Sequence, residues 1–169
     1  GSGKTTLLKF LRGALEASQT SFSAATLVGT ERLFVDLSLE ENILCGRKPN
    51  QAWLSKLCGI ALEGSTLDVE NLSHLQSNSL SRGEVQRILL LRLLYAAPEL
   101  IFIDEGLDSI DLKSLEFILG NIKKILPTAC VIIVSHKSIS DELIKKIEFD
   151  TFSAQNCFVG NSEHNLKSV

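Results

Sequence analysis

The first residues of the chain are of the types that bind phosphate. They match the second half of the pattern G-x-x-x-x-G-K-[ST] and are Gly1, Ser2, Gly3, Lys4, Thr5 and Thr6. Glycines let backbone N–H groups approach a phosphate closely, and the positive end of a following helix adds to the attraction. In this pattern Lys4 reaches the β- and γ-phosphates and the Thr5 hydroxyl binds Mg²⁺. Taken alone, the segment can also be read as a flexible Gly-Ser start.

Two carboxylates follow an apolar run much later in the chain. Residues 100–103 are continuously apolar, which is typical of a strand buried on both faces, and Asp104 and Glu105 come directly after them. Ligands of open α/β sheets bind at the carboxyl ends of strands. We therefore expect Asp104 to hold Mg²⁺ and Glu105 to act as the general base on an attacking water. Without a phosphate loop, a plain acidic loop would be the preferred interpretation.

A histidine follows the next apolar run. Cys130–Val134 is predicted to be a second buried strand, and His136 comes two residues later. A parallel strand would bring His136 to the same edge of the sheet as the two carboxylates, where it would bind a γ-phosphate or order the attacking water. His74 and His164 have no such setting, and we predict that they are surface residues.

Periodicity and capping residues predict the elements that position these groups. Helices are expected over residues 5–16, 39–44, 51–62, 81–97, 112–125 and 141–147. Strands are expected over residues 25–28, 100–103 and 130–134. Alternating strands and helices predict an α/β fold in which helices flank a mostly parallel sheet.

Size and composition are those of an ordinary globular domain. The chain has 169 residues, of which 44 % are hydrophobic and 22 % charged, with a net charge of −3. This balance is not basic enough to indicate a nucleic-acid partner. Scattered cysteines predict neither a disulfide framework nor a zinc site; they are Cys45, Cys58, Cys130 and Cys157. No apolar run is long enough to cross a bilayer.

The segment before the carboxylate strand has the sequence LSRGEVQR, residues 80–87. Ser81 and Glu84 are spaced as a capping box at the start of an apolar helix. The capping box explains these two residues. It does not explain why the helix leads so directly into the carboxylate strand.

The order of these segments resembles the nucleotide-binding domain of ATP-binding cassette (ABC) transporters. In that family LSGGQ-x-QR opens a helix, and a strand ending in Asp and a catalytic Glu follows. A D-loop and a strand ending in a switch His come next. The matching stretches here are LSRGEVQR, LIFIDE, GLDSID and IIVSH, so the resemblance covers nearly the whole chain. The LF…ENI segment at residues 33–43 is similar to that of exporter-type cassettes, as is, faintly, the tail at residues 162–166.

The resemblance implies a P-loop NTPase fold with one ABC-type ATP-binding domain over residues 1–169. Residues 39–80 would form a reduced helical subdomain within it. The implied activity is Mg²⁺-dependent ATP hydrolysis that powers transport across a membrane, with ATP and Mg²⁺ as cofactors. The domain would work at the cytoplasmic face of the membrane, on a transmembrane domain, paired head to tail with a second nucleotide-binding domain.

The resemblance also assigns residues to two nucleotide faces. The first face would hold the residues that surround one ATP: Gly1, Ser2, Gly3, Lys4, Thr5, Thr6, Asp104, Glu105 and His136. Ser81 and Gly83 would bind the opposite nucleotide. Asp111 matches the D-loop Asp that reaches across the interface.

The chain departs from the family pattern in three places. It starts inside the phosphate loop, so we expect an N-terminally truncated fragment that lacks the preceding strand. Gly29 occupies the position of the Q-loop Gln, and Glu31 is the nearby substitute. Arg82 and Glu84 replace a glycine and the glutamine of LSGGQ, and the negative charge of Glu84 would compete with phosphate at the helix N-terminus.

Three other functions stay open at the level of sequence. The chain could be a degenerate cassette that binds ATP while a partner carries out most turnover. It could be a soluble cassette ATPase that acts on DNA or ribosomes, although it has no coiled-coil insertion. It could also be an inactive remnant that does not bind ATP.

Overall fold

The computed structural model describes residues 23–134, together with Thr6 and Gly13. Within residues 23–134 one parallel sheet is formed by β1 (Ala24–Val28), β2 (Leu100–Asp104) and β3 (Cys130–Val134). The α-helices of this part are α1 (Leu39–Leu44), α2 (Gln51–Ala61), α3 (Arg82–Tyr95) and α4 (Leu112–Ile125). Two short 3₁₀ helices, Val69–Asn71 and Ser77–Ser79, lie between α2 and α3.

The three strands end at the same level of the sheet. Their order is β1-β2-β3, and Asp104 pairs with Val28 on one side and Val134 on the other. All five residues of β2 are buried, which confirms the expected strand buried on both faces. The expectation of a second fully buried strand was wrong for β3. Its first residue is exposed and the others are half-buried, because within the described sheet β3 has a neighbour on one side only.

Capping residues set the helix starts. Ser38 and Glu41 form a capping box at α1, and the Asn50 side chain accepts a hydrogen bond from the Trp53 N–H at the start of α2. These side chains satisfy backbone donors that have no partner inside the helix. Helix α1 ends at Leu44 and is followed by its C-cap Cys45, whose φ of 47° lies in the left-handed region.

Helix α3 is the centre of the apolar core. Most of its residues are buried, and it packs against α1, α2 and β1. Leu57, Leu90 and Ile101 are fully buried in the cluster that joins these helices to the sheet. Each such side chain stabilises the fold by about 1.5–3 kcal/mol.

The observed bounds agree closely with the sequence patterns. Helices α1 and α4 and strand β3 match the predicted ranges, and α2 is one residue shorter. Helix α3 is shorter than predicted because Ser81 caps it from outside and Ala97, at φ 46°, leaves the helical region. The predicted helix over 5–16 lies outside the described residues except for Thr6 and Gly13, which are helical. The one over 141–147 lies outside them altogether.

Residues 39–80 hold α1, α2 and both 3₁₀ helices, and they share one apolar core with α3 and the sheet. Their assignment as a reduced helical subdomain stays a prediction. Within the part of the chain that the structure describes, no helix has the length and apolar character needed to cross a membrane.

Candidate functional site

Asp104 ends the central strand with a buried carboxylate. The residue is 7 % exposed, and its Oδ1 atom is buried without a hydrogen-bond partner among the described residues. A buried charged oxygen is costly without a partner, so this atom is suited to accept a cation, a bound water or a donor outside the described residues. Mg²⁺ prefers hard oxygen ligands and is commonly held by one or two carboxylates plus phosphates. The residue therefore fits the Mg²⁺ role expected of it.

Glu105 follows in a strained backbone conformation. Its φ is 57°, in the left-handed region, which costs a residue other than glycine about 1–2 kcal/mol. The Glu105 N–H donates a 2.8 Å hydrogen bond to the Val134 carbonyl, so β3 holds it in place. Strain of this kind is concentrated at functional sites, and here it turns the chain sharply at the sheet edge.

Gly29 lies directly after β1, beside the backbone of Asp104 and Glu105. Its N–H donates to the Asp104 carbonyl at 2.9 Å, which continues the parallel pairing beyond the strand. Glu31 is exposed, and its N–H donates to the Val28 carbonyl at 2.9 Å, forming a tight turn. No cluster of three or more His, Cys, Asp or Glu residues suited to a metal occurs within residues 23–134. Glu31 as a substitute ligand therefore stays a prediction.

The capping box predicted at residue 81 is present at the start of α3. The Ser81 Oγ atom accepts the Glu84 N–H at 3.3 Å, and the Glu84 carboxylate accepts the Ser81 N–H at 2.9 Å. Thr66 donates a further hydrogen bond of 2.6 Å to Glu84. Hydrogen bonds from Thr66 and then from Ser81 lower the pKa of Glu84. An ionised carboxylate therefore already lies at the positive end of this helix.

The loop after Glu105 packs against the first turns of α3. The Gln86 Oε1 atom accepts the Ser109 N–H at 2.7 Å, and a Cβ at Gly83 would lie 3.1 Å from the Ser109 carbonyl. Gln86 and Arg87 are both buried. Sequence reasoning missed this contact. The available signal was the adjacent polar pair Gln86 and Arg87, which directly precedes the apolar run of residues 88–91.

Asp111 caps α4 within its own chain. Its Oδ1 atom accepts the Ser114 N–H at 2.9 Å, and this bond is the main reason that the pKa of Asp111 lies below its usual value. The carboxylate also lies 3.6 Å from Arg87, which donates to the Ala61 carbonyl at 2.7 Å. The Asp111 side chain is 61 % exposed, so the role expected for it across an interface stays a prediction.

A buried asparagine fixes the loop that presents the exposed residues Phe34 and Val35. The Asn42 Oδ1 atom accepts the Phe34 N–H at 2.8 Å, and its Nδ2 donates to the Phe34 carbonyl at 2.9 Å. Arg92 donates to the same Oδ1 at 2.8 Å and lies 5.3 Å above the Phe34 ring. Asn42 of the ENI segment thus holds Phe34 of the LF segment in place through these hydrogen bonds.

The predicted site residues fall into two described groups. Asp104 and Glu105 lie at the carboxyl edge of the sheet, level with the end of β3. Ser81, Gly83 and Asp111 lie where α3 and α4 begin. Thr6 is helical and exposed. The remaining predicted residues lie outside the described ones: Gly1, Ser2, Gly3, Lys4, Thr5 and His136. His74 is exposed, as predicted, and His164 lies outside the described residues.

A parallel sheet with helices packed on it and carboxylates at the end of its central strand defines a protein of the α/β class. The family model described as ABC transporter matches residues 1–108. The chain therefore belongs to the ABC transporter ATP-binding family, as the resemblance predicted.

Curated relatives include proteins named for import and for secretion. The chain is 34 % identical over 138 residues to the molybdenum import ATP-binding protein ModC of Hahella chejuensis, covering 70 % of this chain and 38 % of that protein. It is 28 % identical over 171 residues to the probable microcin-H47 secretion/processing ATP-binding protein MchF of Escherichia coli, covering 87 % and 24 %. It is 29 % identical over 150 residues to the zinc import ATP-binding protein ZnuC of Chromohalobacter salexigens, covering 81 % and 59 %.

Among solved structures, the fold is similar to that of a bacterial Atm1-family ABC exporter with ATP bound. The TM-score is 0.59 at 20 % identity, and the match covers 68 % of this chain and 21 % of the exporter chain. This likeness supports the fold. The chain spans between about a quarter and three-fifths of the length of the three relatives above.

Proposed function

We propose that this chain is the ATP-binding and ATP-hydrolysing part of a transporter that moves a substrate across a membrane. The observation that carries the proposal is the end of β2. There Asp104 has a buried carboxylate oxygen without a partner among the described residues, and Glu105 follows in a left-handed conformation. Such an arrangement suits a carboxylate that holds Mg²⁺ beside a second carboxylate that activates water.

Mg²⁺ would be held by Asp104 together with the Thr5 hydroxyl and would neutralise charge on the bound phosphates. The backbone of Gly1–Gly3 and the Lys4 ammonium would cradle those phosphates. Glu105 would accept the proton of the attacking water. His136 would bind the γ-phosphate or order that water from the end of β3, since β2 and β3 are parallel and end at the same level.

The proposed assembly contains two such domains, head to tail, on a transmembrane domain at the cytoplasmic face of the membrane. Ser81 and Gly83 lie at the start of α3 and Asp111 lies at the start of α4, and these residues would bind the second nucleotide in the proposed pair. We propose the export direction, which rests on the resemblance of the LF…ENI segment to that of exporter-type cassettes. The relatives described above include one named for import and one named for secretion.

The test is ATP turnover of the full-length protein with Glu105→Gln as the variant. Turnover should fall by roughly 10²–10⁴-fold while Mg-ATP binding, measured by calorimetry, is unchanged. Glu70→Gln, which alters an exposed carboxylate on a 3₁₀ helix, is the matched control and should hydrolyse ATP normally. Lys4→Ala should abolish the binding itself. Equal turnover in Glu105→Gln would exclude Glu105 as the base.

A second candidate is a cassette whose own signature face is impaired. The observation that favours it is the Glu84 carboxylate, which is hydrogen-bonded to Ser81 and Thr66 at the N-terminus of α3. Arg82 adds an exposed side chain where the family has glycine. In a pair of domains, this face would weaken the site whose phosphate loop belongs to the partner. With a non-identical partner whose own signature is intact, turnover from one site per pair of domains would favour this candidate.

A further inference from the structure

The Asp111 carboxylate is held from two sides although most of it is exposed. Its Oδ1 atom accepts the Ser114 N–H at 2.9 Å, and its Oδ2 atom lies 3.6 Å from the Arg87 guanidinium. The Asp111 side chain is 61 % exposed, whereas that of Arg87 is 5 % exposed. Because one oxygen is fixed by a backbone donor and the other faces a buried cation, the carboxylate is oriented on both edges. Its exposed part therefore faces a set direction.

Arg87 is itself anchored to a third element. Its Nη1 atom donates a 2.7 Å hydrogen bond to the carbonyl of Ala61, the last residue of α2, while its Nη2 atom faces Asp111. The guanidinium is a planar fork with donors at fixed angles, so one hydrogen bond fixes where the other donors point. The negative end of the α2 dipole also favours a cation there. Arg87 thus joins the end of α2 to the start of α4.

The charges around Arg87 favour its contact with Asp111. Burial lowers the pKa of Arg87. Three neighbouring carboxylates oppose this fall in pKa, in decreasing order Asp111, Glu63 and Glu84. A buried cation needs compensating negative charge, and Asp111 supplies the largest share of it. An ion pair with an exposed partner contributes little to stability, so the main consequence of this pair is the orientation of the carboxylate.

The backbone before Asp111 is held by α3 as well. Residues 106–111 form the stretch that matches the family's D-loop. Within it the Ser109 N–H donates to the Gln86 Oε1 atom at 2.7 Å, and a Cβ atom at Gly83 would lie 3.1 Å from the Ser109 carbonyl oxygen. Gln86 therefore fixes the loop, and Arg87, the next residue of α3, fixes the side chain at the end of the loop.

We propose that Arg87 is a positioning residue for Asp111 and so acts on the nucleotide site that a partner domain completes. The inference rests on the proposed function, since it takes Asp111 to reach across the interface of a head-to-tail pair. A buried arginine of α3 would then set the direction in which Asp111 meets the second domain. Without Arg87, Asp111 would still cap α4 through Ser114, but its Oδ2 atom would lose its fixed partner.

The test compares Arg87→Met with Arg47→Met in the full-length protein. Arg47 is exposed and donates to the Leu44 carbonyl at 3.3 Å, so it is a matched control for the loss of an arginine that bonds a helix end. Arg87→Met should lower kcat by about 10-fold, because a misplacement of about 1 Å can cost up to about 100-fold. The KM for ATP should change by less than about 3-fold, since the phosphate loop is untouched. Arg47→Met should leave both parameters unchanged.

A double-mutant cycle with Asp111→Asn separates positioning from general damage. Asparagine is a good N-cap, so this variant keeps the start of α4 and removes the charge that faces Arg87. If Arg87 acts through Asp111, then Asp111→Asn should itself lower kcat by a similar factor, and Arg87→Met should add less than about 3-fold to that loss.

A second variant covers the case in which Arg87→Met does not fold, which thermal unfolding shows. Arg87→Lys then serves in the same cycle. Its ammonium can still donate to the Ala61 carbonyl, but it has no planar fork to span Ala61 and Asp111 together. The expected loss of kcat is therefore in the same direction.

The outcomes distinguish the two proposals. Normal kcat in the folded Arg87 variant, or an equal fold-loss of kcat with and without Asp111→Asn, would overturn the positioning role and leave the proposed function intact. A full-length wild-type protein that does not hydrolyse ATP would overturn the proposed function and the positioning role with it.

Discussion

The Thr66 hydroxyl donates a 2.6 Å hydrogen bond to the Glu84 carboxylate at the start of α3. The other oxygen of Glu84 accepts from the Ser81 N–H and hydroxyl. These bonds favour the ionised carboxylate, which lies where the helix dipole also favours negative charge. Ser81 and Glu84, which belong to the segment that departs from the family signature LSGGQ, thus form a helix N-cap stabilised by these hydrogen bonds.

We predict that the free energy of unfolding depends less on pH in the acid range after Glu84→Gln. Because the pKa of Glu84 is lowered in the folded state, its contribution is present above the unfolded-state pKa and is lost as pH falls through the folded-state pKa. Glutamine can still cap the helix, so the change mainly removes the charge. Urea unfolding near pH 7 should show a loss of about 0.3–1 kcal/mol, which disappears near pH 3.

Asp111 also has a lowered pKa and titrates in the same direction, but it is present in both proteins and cancels in the comparison. Glu70→Gln serves as the exposed-carboxylate control and should show no such pH-dependent difference. An equal loss of stability at both pH values would contradict the prediction, because it would trace the loss to packing and not to charge.

Local signals predicted most of the elements. Helix α1 begins at a Ser-x-x-Glu capping box, α4 begins after Asp111, and both have the predicted bounds. Residues that decide such helices are three or four positions apart, so the pattern is visible in the sequence. The buried strand before Asp104 was predictable for the same reason, since a continuous apolar run marks it.

Contacts between distant segments were not predictable. Thr66 reaches Glu84 across 18 residues, and Gly29 meets Glu105 only because β1 and β2 are neighbours in the sheet. The burial of Arg87 depends on Ala61 and Asp111, which the fold brings together. A sequence pattern shows which residues are unusual at a position, whereas strand order decides what they touch.

Arg82→Gly should raise ATP turnover of the full-length protein if the signature face is impaired. Arg82 is exposed at the first position of α3, so its side chain occupies space that the family leaves to glycine. Arg82→Ala is the matched control, since it removes the charge but keeps a Cβ atom. Greater turnover in Arg82→Gly than in Arg82→Ala would assign the effect to space. Unchanged turnover in both would mean that Arg82 is tolerated.

Asn42→Ala should destabilise the fold by about 1–3 kcal/mol in urea unfolding. Asn42 is fully buried, and its loss would leave the Phe34 N–H without its acceptor and Arg92 without one of its partners. Asn121→Ala removes an amide whose bonds to Phe117 and Lys124 are exposed, and it should cost much less. A similar loss in the two variants would contradict the role assigned to the Asn42 network.

Gln86→Ala should loosen the D-loop more than it destabilises the whole fold. The Gln86 Oε1 atom accepts the Ser109 N–H at 2.7 Å, while its Nε2 is buried without a partner among the described residues. Alanine at position 86 leaves the Ser109 N–H without its acceptor, which is destabilising. It also removes the buried, unpaired Nε2 atom, which is stabilising. The free energy of unfolding should therefore fall by an amount near the lower end of about 1–3 kcal/mol. Hydrogen exchange at the Ser109 amide should therefore accelerate by more than the fall in global stability accounts for.

The matched control is Val85→Ala, one position earlier in α3, which removes half-buried apolar contact without touching the hydrogen bond between Gln86 and Ser109. It should accelerate exchange at Ser109 only as far as it lowers global stability. If both variants gave the same exchange at Ser109 relative to their global stability, Gln86 would not be what holds the D-loop against α3.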